Sequence, residues 1–298
     1  MAEQFRDPVK DQIYTLNLGP QHPSTHGVLR VLLDLDGEFI VKAVPIIGYG
    51  HRGHEKMGEN RLYRQFLPNT SRMDYLAGMI YNHGFVLAVE KMAGIEVPER
   101  ARYIRIIASE LNRISSHLLW FGTYLMDLGG FTPFLYAFDD RENILDILDH
   151  VSGSRLTYSY CRFGGVSRDV DATFVDMTRA FLKRMESRWP DYDNLVTNNI
   201  IFIKRTRDVG IIDAELSRQY AVTGPNLRAC GIPYDVRKAE PYEIYDRFDF
   251  EVPVGSRGDA LDRYMVRFRE MQQSCRIIDQ ALDQLPKGPY QTEKVPQR

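Results

Sequence analysis

The chain has 298 residues, 44% of them hydrophobic, enough apolar material for one large core or two modest ones. Its 38 Lys and Arg nearly balance 40 Asp and Glu, and a net charge of -2 excludes the basic stripe of a nucleic-acid binder and the polybasic patch that holds anionic lipid. No run of about 18 apolar residues occurs, so no transmembrane helix is predicted.

The N-terminal region reads as β. Ile13 to Leu18 forms a short strand, and Leu29, Val31, Leu33 and Leu35 alternate with Arg30, Asp34 and Asp36 as a half-buried second strand. Asp36-Gly37 is a two-residue hairpin signal, and Glu38 to Val44 returns as the partner strand. Between the first two strands, Gly19-Pro20-Gln21-His22-Pro23-Ser24-Thr25-His26-Gly27 carries two prolines and two glycines and is a loop.

From about residue 53 the pattern turns helical. Ser71-Arg72-Met73-Asp74 fits a capping box, which predicts a helix from there to about Ala93. Pro98 suits the first position of the next helix, whose apolar face is Ile107, Leu111, Ile114, Leu118 and Leu125, and Gly129-Gly130 stops it. Thr132-Pro133 opens another helix, to about Gly153, and Asp171 one more, to about Arg188. Residues 195 to 258 are punctuated by Gly224-Pro225, Gly231-Ile232-Pro233 and Glu240-Pro241, which allows short elements only. Leu261, Tyr264, Phe268, Met271, Cys275, Ile278, Leu282 and Leu285 then keep strict 3-4 spacing, the stripe of a bundle-core helix. From Pro286 there is no pattern, and a disordered tail is predicted. The expected fold is α+β: a β region over 1–50, a helical bundle over 51–285 with an irregular insert near 195–258, and the tail.

Several motifs invite chemistry. Gly48-Tyr49-Gly50-His51-Arg52-Gly53 matches a dinucleotide fingerprint, but Pro45 interrupts the strand before it and no parallel strand follows, so a free-standing NAD-dependent dehydrogenase is not predicted. His22 and His26, or His51 and His54, have metal-ligand spacing, yet no acidic or thiol ligand joins either pair. Cys161, Cys230 and Cys275 lie far apart with no C-x-x-C pair, which predicts a reducing compartment and no zinc or iron–sulfur site held by this chain alone. Met1-Ala2-Glu3-Gln4-Phe5-Arg6-Asp7 has the bias of neither a signal nor a transit peptide, so a soluble, cytoplasmic chain is expected.

Three positions are odd on physical grounds. Tyr75 falls in the first turn of the helix predicted from Ser71, where its phenol can meet an acceptor that gains electron density; an ordinary half-buried Tyr is the other reading. Asp127 falls in a last helical turn, at the negative dipole end. Either a donor such as His26 meets it or it points into water. The mid-helix run Glu110-Leu111-Asn112-Arg113-Ile114-Ser115-Ser116-His117 lines a contact or cavity, or is a solvated face with i,i+3 pairing.

Taken together, these strings resemble the D-subunit family of respiratory complex I (NADH:quinone oxidoreductase), related to the nickel–iron hydrogenase large subunit, over nearly the whole chain. The resemblance runs through Gly19 to Val28, His51-Arg52-Gly53 with Glu55-Lys56, Arg72-Met73-Asp74-Tyr75 and Ala88-Val89-Glu90-Lys91. It continues through Glu110-Leu111 with Arg113, Asp127-Leu128-Gly129, Gly164-Gly165-Val166 and the run Thr223 to Lys238.

The resemblance implies a hydrogenase-like fold and a quinone-binding subunit of the peripheral arm of a proton-pumping enzyme. It would lie on the cytoplasmic face of the bacterial inner membrane as a peripheral protein, with B-like, C-like and membrane-embedded H-like subunits of the complex as partners. His26 and Tyr75 would reach the quinone head group, Asp127 would pair with His26, and Thr123 would face the quinone chamber. A [4Fe-4S] cluster would sit in the adjacent iron–sulfur subunit, and no cofactor would be bound by this chain alone. The hydrogenase ligands are missing, since Arg72-Met73-Asp74-Tyr75-Leu76 has no cysteine where the first C-x-x-C pair belongs. Thr157 stands where many members have a histidine near the cluster, which implies a low-potential quinone such as menaquinone. Relatives continue past this C-terminus, so part of the fold is expected to be missing, and a non-catalytic assembly or docking subunit is the alternative.

Overall fold

The computed structural model describes residues 13–293 and 295. They fold as two compact units, one ending at Asn60 and the other beginning at Arg61.

In the first unit, alternating apolar residues build an antiparallel sheet of β1 (Ile13–Leu18), β2 (Arg30–Asp36) and β3 (Phe39–Ile46), in that order. The hairpin turns at Gly37-Glu38, because Asp36 pairs with Phe39, one residue later than the Asp36-Gly37 signal indicates. Pro45 does not break β3 but pairs with Val31 inside it, which an edge strand tolerates. The sheet is antiparallel throughout, so the glycine triplet completes no βαβ unit. A short helix, α1 (His54–Glu59), ends the unit.

The second unit is helical: α2 (Tyr63–Thr70), α3 (Gly78–Ala93), α4 (Glu99–Asp127), α5 (Phe131–Ser152) and α6 (Ala172–Tyr192) precede the last long helix, α11 (Ala260–Asp283). Between α6 and α11 run only short helices: α7 (Ile200–Thr206), α8 (Ala214–Gln219), α9 (Gly224–Ala229) and α10 (Val236–Ala239). The Pro and Gly punctuation predicts that. A two-strand ribbon, β4 (Cys161–Arg162) and β5 (Gly165–Val166), follows α5.

The spine is α4. Ile104, Ile107, Ala108, Leu111, Ile114 and Leu118 are fully buried, and each large aliphatic contributes about 1.5–3 kcal/mol by leaving water. The stripe of α11 packs in the same core through Tyr264, Phe268, Met271, Ile278 and Leu282, as the 3-4 spacing predicts. Asp140 joins α5 to α6, accepting from Arg184, Arg188 and the Tyr192 hydroxyl with no exposure of its own.

Two expectations need correction. The helix predicted from Ser71 begins at Gly78: Ser71 caps the end of α2, and residues 71–77 are a bend. The predicted disordered tail is paired over Tyr290 to Thr292. Val166 N–H donates to Tyr290 O (3.1 Å), Thr292 N–H to Gly164 O (2.8 Å), and Arg100 reaches Pro286 O (2.8 Å). Residues 294 and 296–298 lie outside the described residues.

Candidate functional site

His26 lies in the first unit and Tyr75, Thr123 and Asp127 in the second. The loop that carries His26 is shaped by its own polar groups. His22 Nδ1 accepts from Ser24 N–H, so that imidazole caps a single 3-10 turn, Pro23–Thr25. Thr25 is buried and its hydroxyl donates to His22 O at 2.9 Å. His26 itself is exposed in the left-handed region, φ 49°. The loop's entry requires glycine: at Gly19, φ +89°, a Cβ would lie 2.1 Å from Leu29 O.

Tyr75 does not stand in the first turn of a helix, so no helix dipole of its own turn acts on its phenol. It sits in the bend between α2 and α3, 52% exposed, and the bend is tied down on both sides of it. Asp74 Oδ1 accepts from Leu76 N–H at 3.0 Å. Asn112, buried in the middle of α4, donates to Leu76 O (3.1 Å) and accepts from Met79 N–H (3.2 Å). At the other end, Asn82 Nδ2 donates to the Thr70 hydroxyl while its oxygen accepts from Cys161 N–H.

Thr123 and Asp127 occupy the last two turns of α4. The Thr123 hydroxyl donates back to Leu119 O (3.0 Å) and Trp120 O (3.2 Å), and Asp127, the last helical residue, is exposed. Beside this end lies an apolar hollow of about 140 Å³ lined by Leu125, Leu128, Leu195 and Phe202. Asp127 is fifteen residues past Asn112, about 22 Å along the axis, so Tyr75 and Asp127 are held by well-separated parts of one helix.

The polar run of α4 is no solvated face. Glu110 is fully buried and bound by Arg113, by Arg237 on α10, and by the hydroxyls of Tyr245 and Ser274. Burial alone would raise its carboxyl, but Arg113 and Arg237 outweigh that and hold it down at about 2. Arg105, also unexposed, forks onto Glu90 and reaches Glu243 at 2.8 Å. His83 bridges Ser109 and Glu243, and His117 bridges α4 to Glu270, which Arg228 also holds. Burial keeps both imidazoles below their ordinary range despite the adjacent carboxylates. Glu243 and Glu270 are held at about 2, because the histidine hydrogen bonds and the arginines overcome the cost of burial. Sequence patterns single out Asn112 only as a member of the polar run and do not reveal Asn82 or these long-range pairs, since the partners are distant in the chain.

The residues present do not fit an iron–sulfur cluster. Cys161 in β4 is buried and Cys275 in α11 is half-buried, with both thiols pushed up to about 12 by desolvation, and Cys230 follows α9. Among the described residues no three His, Cys, Asp or Glu side chains form a metal-holding group.

Residues 127–297 match the family model of the respiratory-chain NADH dehydrogenase 49 kDa subunit. The chain is 76% identical to the D subunit of NADH-quinone oxidoreductase from Syntrophobacter fumaroxidans, over its full length and 80% of that protein. It is 61% identical to the D subunit from Desulfotalea psychrophila over 96% of this chain and 77% of that one. For the D-2 subunit from Opitutus terrae the values are 54%, 96% and 71%. Some of the runs that carry the resemblance supply members of the buried networks: Glu90, Glu110, Arg113, Arg228, Asp235 and Arg237 are among them. The chain belongs to the 49 kDa (D) subunit family of NADH-quinone oxidoreductase.

Proposed function

We propose that this chain is the quinone-binding subunit of the peripheral arm of a proton-pumping NADH:quinone oxidoreductase, active only within the complex. The observation that carries the reading is the presentation of Tyr75. A phenol half open to solvent stands on a short bend whose backbone is fixed to buried side chains, the arrangement of a preorganised ligand contact. In this reading Tyr75 and His26 hydrogen-bond the two carbonyl ends of the quinone head group. The quinone takes up two electrons delivered from outside this chain, and Tyr75 O–H and His26 N–H supply its two protons to give the quinol. Asp127 stabilises protonated His26, and its release from that partner on proton delivery is the electrostatic change passed on to the pumping subunits.

No helix among the described residues is long and apolar enough to cross a membrane. By membership of the family, the proposed position is peripheral, on the cytoplasmic face of the inner membrane, beside B-like, C-like and H-like subunits. The B-like neighbour would hold the [4Fe-4S] cluster. Thr157, in the loop after α5 at φ 54°, offers no titratable group there, in keeping with a low-potential quinone such as menaquinone.

The test is Tyr75→Phe in the assembled complex, measured as NADH-driven quinone reduction beside NADH oxidation by an artificial acceptor that bypasses quinone. Quinone reduction falling at least about tenfold with the bypass intact is the expected result. Both rates unchanged would leave this chain an assembly or docking subunit.

A further inference from the structure

The bend that carries Tyr75 is built unlike a helix start. Seven residues, 71–77, separate the last turn of α2 from Gly78, and none belongs to a helix or strand. Such a segment has many backbone conformations to choose from, and fixing each residue costs roughly 1–2 kcal/mol of conformational free energy. Something must select one. Local chemistry supplies part: Asp74 closes an Asx turn on Leu76, and Ser71 and Thr70 fold their hydroxyls back onto Pro68 O and Leu67 O. None of these bonds ties the tyrosine to the rest of the fold.

Asn112 does. It lies 1% exposed on α4, thirty-three residues from Met79 and thirty-six from Leu76, and its amide spends one donor and its acceptor on the two sides of the bend's exit. The oxygen satisfies Met79 N–H, a first-turn amide of α3 that has no intrahelical partner, and α3 has no side-chain cap of its own. The nitrogen holds Leu76 O, the carbonyl immediately after Tyr75. An amide does both at once, whereas a carboxylate or an aliphatic residue loses at least one bond. The approach is tight as well: a Cβ on Gly78 would come within 2.9 Å of Ser71 O, so the two ends of the bend nearly touch.

We propose that Asn112 is a positioning residue for quinone reduction, setting the place of the Tyr75 phenol by fixing the backbone of Leu76 and Met79 from the middle of α4. The inference rests on the reading of Tyr75 as a quinone contact. Asn112 touches no substrate and moves no proton; it determines where the phenol stands. Its removal relaxes the exit of the bend, and a displacement of about 1 Å in a catalytic group costs up to roughly a hundredfold in rate.

The test is Asn112→Leu, close in volume and without polar atoms, measured in the assembled complex beside Tyr75→Phe and the unaltered enzyme. The readouts are kcat and KM for a short-chain quinone, and the rate with the artificial acceptor per unit of assembled complex. A fall of about tenfold or more in kcat/KM for quinone, with the artificial-acceptor rate unchanged, is the expected result. Quinone kinetics unchanged in Asn112→Leu, while Tyr75→Phe is impaired, overturn the inference and leave the quinone-site reading standing. Unchanged kinetics in Tyr75→Phe remove the reading itself, and the inference with it. Should Asn112→Leu prevent assembly, Asn112→Asp decides, because it keeps the volume and the acceptor for Met79 N–H and removes only the donor to Leu76 O. A fall confined to quinone kinetics supports the assignment, and normal quinone kinetics overturn it.

Discussion

Arg237 donates from one nitrogen to both carboxylate oxygens of Glu110, each at 3.1 Å, across 127 residues of sequence. Both side chains are nearly or wholly excluded from water, and the Arg237 guanidinium also lies 4.9 Å over the Phe250 ring. The pair fastens the irregular region around α10 to the centre of α4. A buried carboxylate that loses one of its two cations, here keeping only Arg113, retains its desolvation cost with much less compensation. Arg237→Met is therefore expected to destabilise the chain by about 3–5 kcal/mol. The same change in a Glu110→Gln background should cost clearly less. Urea midpoints of the two single variants and the double variant check this; equal costs in both backgrounds would show that the pair is not coupled.

The buried titratable groups set a direction for pH dependence. Glu110, Glu243 and Glu270 have folded values of about 2 against an ordinary 4.5, so their stabilisation is complete above 4.5 and lost as pH falls towards 2. His83 and His117 are lowered from 6.5, so the unfolded chain binds more protons below that value and stability falls there too. Unfolding midpoints are expected to hold near neutral pH, decline from about 6.5, and drop steeply below about 4.5. His117→Gln keeps a donor for Glu270 and should flatten the portion just below pH 6.5. A midpoint that rises on acidification through that range would contradict the assignment of neutral imidazoles.

If His26 and Asp127 act as a pair, their effects will not add. His26→Gln and Asp127→Asn are each expected to lower quinone reduction by about a hundredfold, with the double variant no worse than the worse single one. Steady-state quinone kinetics on the three complexes decide it. Independent, multiplying losses would mean that the two residues do separate things.

Thr123 should matter little through its hydroxyl, which is already engaged by Leu119 O and Trp120 O. Thr123→Val is expected to change the KM for quinone by less than about threefold, under the worth of one ordinary hydrogen bond. A larger rise in KM with kcat preserved would make that hydroxyl a direct quinone contact.

Periodicity alone determined a good deal here. The period-2 alternation from Leu29, the apolar face from Ile107 to Leu125 and the 3-4 stripe from Leu261 identify β2, α4 and α11, because those patterns are what one buried face demands. The sequence has no long apolar run, and no helix among the described residues is long and apolar enough to cross a membrane. The tertiary structure decided what depends on partners remote in the chain. Ser71-x-x-Asp74 has the letters of a capping box, yet the α3 amide at Met79 is satisfied by Asn112, thirty-three residues away, and the helix starts seven residues later. Glu110 and His117 look like a solvated helix face until Arg237, Tyr245, Ser274 and Glu270 close over them. Within the patternless stretch after Pro286, Tyr290 to Thr292 are paired because the backbone of β5 and Gly164 offers them hydrogen bonds. Apolar burial repeats along a chain and can be read from it. A buried hydrogen bond joins two particular groups, and only the folded chain decides which two meet.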